Sequence, residues 1–181
     1  GLRARHLRWA DMELLQHLLS ADASAPRLSV YNEADGTRMD FSAQTLENWT
    51  SKIANMLLEE LDLEPDSDSR ILIDLPVSWQ AAVIALGALA AGVPFDVTDG
   101  AAATQPPADE IAVVFTSPEA FSEGSGISGA DTVLVTQDPF GRGVVESGGE
   151  LPVGTIDFGP TVRCYGDHFY GTTTPLPELF P

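Results

Sequence analysis

The sequence predicts a three-layer α/β/α domain with a mainly parallel central sheet and an antiparallel β-hairpin near its N-terminal end. Three observations carry this. Ile71-Leu72-Ile73-Asp74-Leu75 is a nearly continuous apolar run rather than an alternating one, the pattern of a strand covered on both faces. Strand-like runs alternate with helical patterns along the chain, which implies right-handed crossovers between parallel neighbours. The segment from Ala81 to Ala91 has no polar side chain, so as a helix it must be buried nearly all round. A chain of 181 residues that is 44% apolar can bury one proper core, placed here in residues 1–169 with its centre over 28–135.

The elements follow in order. Asp11 is placed to cap a first helix over 12–20, with Met12, Leu15, Leu18 and Leu19 on one face. Ser24, Ala25 and Pro26 break it. Leu28, Val30 and Tyr31 form a strand, Asp35-Gly36 turns the chain, and Met39 and Phe41 begin the return strand. Ser42 caps a long amphipathic helix whose buried face is Leu46, Trp49, Ile53, Met56, Leu57 and Leu61. The strand 71–75 ends at Pro76. Ser78 caps the apolar helix, Gly92 ends it in a left-handed conformation, and Val93 to Val97 is the next strand. Ile111 to Phe115 and Thr132 to Val135 read as further strands, with a short helix from Pro118 to Glu123 between them. Thr155 to Phe158 and Val162 to Tyr165 read as edge strands. The proline-rich stretch 170–181 reads as an extended tail.

Charge narrows the partners. Twenty-seven acidic residues face nine basic ones, a net charge of −18. Such a surface repels phosphate backbones and anionic membranes, which argues against nucleic acid and lipid partners. Cys164 is the single cysteine, so neither an internal disulfide nor a cysteine-based metal site is expected. The absence of disulfides fits a cytoplasmic setting. Residues 1–30 carry no secretory pattern, and the longest apolar stretch, Ala81 to Val93, is shorter than the roughly 20 residues a bilayer needs.

The stretch from Arg27 to Asp99 resembles the N-terminal part of adenylate-forming, acyl-CoA synthetase-like enzymes. The residues carrying the resemblance are Tyr31 with Gly36, Phe41-Ser42, Ala54-Asn55-Met56-Leu57, Leu75-Pro76 and Ala91-Gly92-Val93-Pro94. More closely, the segments LENWTSKIANMLLEEL, IDLPVSWQAAVIALGALAAG, GTIDF and YGDHF resemble a small uncharacterised actinobacterial family that keeps only this region. The resemblance implies the fold given above. It also shows what is missing: those enzymes hold ATP phosphates with a hydroxyl- and glycine-rich loop containing Pro-Lys-Gly, and use a lysine from a C-terminal domain. Neither pattern occurs here, and the chain's single lysine, Lys52, lies on the amphipathic helix. A hydroxyl cannot replace a lysine as the charge clamp for a developing phosphoryl anion. Unaided adenylation is therefore not expected.

The candidate ligand residues are Asp96, Thr98, Asp99, Thr116, Ser117, Tyr165 and Asp167. The first five sit at the ends of strands expected to be parallel, where ligands bind in open α/β folds. Carboxylates and hydroxyls there suit sugar or ribose hydroxyls. Tyr165-Gly166-Asp167 resembles the Gly-Asp pair with which adenylate-forming enzymes grip ribose. Tyr170-Gly171-Thr172-Thr173 resembles their adenine and magnesium motif, except that Thr174 stands in place of its glutamate. Gly124-Ser125-Gly126-Ile127-Ser128-Gly129 spells a dinucleotide loop, but a helix precedes it and a strand follows, the reverse of what that chemistry needs. His6, His17 and His168 show no ligand spacing. No cofactor is required by these residues; ATP or AMP is the one the resemblance suggests. The expected role is a non-catalytic one, binding a small metabolite, a nucleotide or a protein partner. The alternatives are a half-enzyme completed by a partner chain, and an oligomeric structural module that pairs through the 79–91 helix.

Overall fold

The structure, a computed structural model, describes residues 28–32, 37–98, 108–124 and 126–169. The expected helix over 12–20, the Asp35-Gly36 turn, Asp99 and the 170–181 tail lie outside the described residues.

A two-stranded hairpin opens the described chain. β1 (Leu28–Asn32) pairs antiparallel with β2 (Thr37–Phe41), Leu28 opposite Phe41. α1 (Ala43–Glu59) begins at Ser42, whose side chain accepts from the Thr45 N–H at 3.2 Å. A polar turn leads to β3 (Arg70–Asp74), then α2 (Trp79–Ala91) and β4 (Phe95–Thr98). After a 3-10 turn (Ala108–Glu110) come β5 (Ile111–Thr116), α3 (Pro118–Ser122) and β6 (Asp131–Leu134). β7 (Thr155–Asp157) and α4 (Phe158–Arg163) complete the order.

The five-stranded sheet runs β4-β3-β5-β6-β7, and every neighbouring pair is parallel. From β3 the chain moves to one edge for β4, then returns past β3 to place β5 on its other side. Because side chains alternate across a strand, the sheet has two different faces. Ile71, Ile73, Phe95, Val113, Phe115 and Val133 point into the main core with α1, α2 and α4. Leu72, Ile111 and Val114 point the other way and are covered by Ile127 and Ala130 of the β5–β6 connection.

α2 is the keystone of the main core. Twelve of its thirteen residues are buried, and α1 and the sheet cover it within this one chain. A helix whose residues from Ala81 onward are all apolar is stable only when enclosed, and here the enclosure is intramolecular. Gly92 ends it at φ 71°, and Val93 N–H bonds back to the Ala88 carbonyl at 2.9 Å, a Schellman stop that needs the glycine. Gly87 faces Ile53 of α1, where a Cβ would be 2.6 Å from the Ile53 Cβ, so the helices touch backbone to side chain. At the other end, Trp79 stacks against Phe41 and Trp49, with ring centroids 5.2 and 5.1 Å apart.

One expected strand is corrected. Residues 162–165 do not form an edge strand; Val162 belongs to α4, which starts directly from β7. Pro160 lies in the first turn of that helix, where its missing N–H is no loss, and Gly159 fits where a Cβ would strike the Gly141 carbonyl oxygen at 2.7 Å.

Candidate functional site

Parallel strands end together, and here they end in polar side chains. Asp74 closes β3 and is in register with Thr98 of β4 on one side and Thr116 of β5 on the other. All three lie on the sheet face away from the main core. Thr98 Oγ1 donates to Asp74 Oδ1 at 2.8 Å. The Thr116 hydroxyl is fully buried and has no hydrogen-bond partner among the described residues, which costs about 1–3 kcal/mol while it stays unpaired. Ser117 is next, and its side chain accepts from the Ala120 N–H at 3.1 Å to start α3. Strand order reverses between β3 and β5, so Asp74 and Thr116 flank the switch point, the place where open α/β sheets bind ligands.

Asp96 is drawn away from this edge. It lies two residues before Thr98, only 5% exposed, and Arg70 Nε at the start of β3 donates to its Oδ2 at 2.7 Å. Burying a carboxylate demands such a partner. Thr98, Thr116 and Ser117 therefore share the strand ends, while Asp96 is an internal ion pair and Asp99 falls outside the described residues.

Further along the same edge, past Ser117, is a cleft of about 340 Å³ lined by Pro118, Glu119, Thr136, Asp138, Val144 and Ser147. Its far wall is the loop 136–149, which is well tied down. Asp138 accepts from the N–H groups of Phe140 and Arg142 at 2.9 and 3.2 Å and from Arg142 Nε at 3.0 Å. The Arg142 side chain is the main reason its carboxyl is held below the usual range; the two backbone donors add to this. Gln80 of α2, itself buried, donates to the Asp138 carbonyl at 2.8 Å. Asp157 at the end of β7 accepts from Val144 and Val145 N–H at 2.9 and 3.3 Å. Gly141, at φ 74°, lies on the Trp79 ring, where a Cβ would approach to 3.0 Å. Sequence reasoning missed this loop because its glycines look like slack; the available signal was Asp138-Pro139, a turn-initiating pair.

Tyr165 and Asp167 sit elsewhere, against the polar, partly exposed side of α1. Lys52 Nζ is 2.8 Å from Asp167 Oδ1 and donates to the Tyr165 carbonyl at 2.8 Å. Asn55 Nδ2 donates to the carbonyls of Gly166 and His168 at 3.2 and 2.9 Å. Tyr165 donates its hydroxyl to Glu60 Oε2 at 2.7 Å; that bond, with burial second, pushes the phenol up to about 12. The polar strip of α1 is thus a seat for residues 165–168. Gly124 and Gly129 adopt left-handed φ values of 98° and 86° between α3 and β6, so that loop follows a helix and leads into a strand. Among the described residues no group of three or more His, Cys, Asp or Glu side chains is placed to hold a metal ion, and no helix is long and apolar enough to cross a membrane.

No protein-family model matches the chain. A Mycobacterium tuberculosis (strain ATCC 25618 / H37Rv) protein, named only by its family, is 35% identical over 167 residues, covering 92% of this chain and 64% of that relative. The chain therefore spans less than two thirds of it. Among solved structures, the Brucella canis acyl-CoA synthetase is similar with a TM-score of 0.59 at 17% identity, over 77% of this chain and 25% of the enzyme. The acetoacetyl-CoA synthetase from Streptomyces lividans gives 0.59 at 16% identity, over 90% and 26%. A benzoate CoA ligase from Burkholderia xenovorans LB400 gives 0.57 at 17%, over 90% and 30%. At such identities the likeness is one of fold. The chain has the α/β architecture, built on a parallel five-stranded sheet, that acyl-CoA synthetases contain over roughly a quarter to a third of their length.

Proposed function

We propose that the residues of this chain act as a non-catalytic binding module on a scaffold shared with adenylate-forming enzymes, taking a small ligand at the carboxyl edge of the sheet. One observation carries the reading. The four basic side chains with described ion pairs are all committed to carboxylates: Lys52 to Asp167, Arg70 to Asp96, Arg142 to Asp138 and Arg163 to Glu146. Stabilising charge on a transferring phosphoryl group needs a preorganised cation aimed at it. Here the carboxyl edge offers carboxylates and hydroxyls instead, on a chain of net charge −18. The test is pyrophosphate release from ATP and magnesium with a series of carboxylic acids. The reading expects none; turnover by the pure chain would end it.

A second reading is favoured by the chain's matching only 25–30% of the solved enzymes. It makes this fold one part of an adenylating site completed by further polypeptide. It expects pyrophosphate release when the chain is mixed with an acyl-CoA synthetase fragment lacking the matching region, and silence in that mixture removes it.

A further inference from the structure

Building on the binding-module reading, we propose that the cleft between the start of α3 and the 136–149 loop takes a neutral polyhydroxylated ligand of monosaccharide size. Its volume of about 340 Å³ is at the small end for ligand sites, room for a single sugar ring. The lining alternates hydrogen-bonding groups (Glu119, Thr136, Asp138, Ser147) with the apolar surfaces of Pro118 and Val144.

The fold already uses part of this polar capacity. Thr136 Oγ1 donates to the Arg142 carbonyl and accepts from Asp138 N–H, and Asp138 is saturated by Phe140 and Arg142. Glu119 and Ser147 are exposed, and within the described residues their side chains make no hydrogen bond. Glu119 is an acceptor, and Ser147 both donates and accepts. A ligand hydroxyl also does both, so hydroxyls of one ligand match either side chain.

Charge and donor number argue against two other classes, anions and metal ions. Anionic ligands meet a chain of net −18, and Arg142, the cation on this loop, is spent on Asp138. That pairing also neutralises Asp138 and leaves Glu119 as the one uncommitted carboxylate of the lining, too little to cage a metal ion. Phe140, 77% exposed, follows Asp138 by two residues and donates its N–H to that carboxylate. It carries the Arg142 guanidinium over one ring face, 5.8 Å from the centroid, so only its other face is open to a ligand. An exposed ring beside a polar cleft offers a flat apolar surface to the C–H face of a sugar. The loop that carries it is anchored by Gln80, Asp157 and Trp79, so little ordering is left to be done on binding.

The experiment is a 15N–1H NMR titration with D-glucose and with D-ribose, putrescine and magnesium–ATP serving as comparison ligands. Saturable shifts confined to residues 118–119 and 136–149 with either sugar are expected. Glu119→Gln and Phe140→Ala, both at exposed positions and expected to keep the wild-type melting temperature, should each weaken binding roughly tenfold. The proposal is overturned if neither sugar gives saturable shifts, if the shifts map elsewhere, if both variants bind like the wild type, or if putrescine or ATP binds more tightly than the sugars. Failure of the broader reading is distinct: pyrophosphate release would end it whether or not a sugar binds.

Discussion

Single side chains decide whether the carboxyl edge is used by the fold or left for a ligand. Thr116 is the clearest case, a buried hydroxyl without a partner among the described residues. Replacing it by valine keeps its shape and removes the group that goes unsatisfied. Thr116→Val is therefore expected to leave stability unchanged or raise it by about 1 kcal/mol, measured by urea unfolding; a clear loss would show that the hydroxyl has a partner after all. Tyr165 makes the opposite point. Its phenol, raised to about 12 by the bond to Glu60, binds its proton more tightly in the folded state than in the unfolded chain, where it is near 10. The associated stability is complete below about pH 10 and is lost as pH rises to 12. Tyr165→Phe should flatten that alkaline fall in melting temperature. Asp138 has the reverse sign: its lowered value contributes stability above 3.8, lost as pH falls through the folded value.

At the scale of elements, close approach and strapping do separate jobs. Gly87 sets the α1–α2 contact because any Cβ there meets Ile53. Gly87→Val should destabilise by about 1–3 kcal/mol or more, since the packed helices must part, and chemical denaturation would show it. The 165–168 segment is held on α1 by Lys52, Asn55 and Glu60. Because these contacts are partly exposed, Lys52→Met should cost less than about 1 kcal/mol of global stability. It should nevertheless speed hydrogen exchange at residues 165–168, while the core strands stay protected. Equal acceleration everywhere would mean that the contact supports the whole fold rather than a strap.

Across the molecule as a whole, charge acts over longer distances than any single contact. A net −18 on 181 residues repels itself, and salt screens that repulsion. The melting temperature is expected to rise by several degrees between roughly 10 mM and 500 mM sodium chloride. A fall would mean that ion pairs, the four among the described residues included, outweigh the global repulsion. The same field bears on ligands, disfavouring nucleotides and other anions.

Burial writes its period directly into residue type, so the hairpin, the long amphipathic helix, the apolar helix and the buried strands are legible in the chain alone. Ser42, Ser78 and Gly92 mark their helix ends for a similarly local reason, that caps are made within a few residues. Past Asp138 the pattern fails. The loop there is held by Gln80, Asp157 and Trp79, contacts distant in sequence, and no local period reports them. Strand order belongs to the tertiary structure too. Only the arrangement β4-β3-β5-β6-β7 puts Asp74 between Thr98 and Thr116, turns Asp96 onto Arg70, and carries Tyr165 and Asp167 away to α1. Residue types named the polar groups, but pairing across strands settled which of them the fold consumes and which it leaves open.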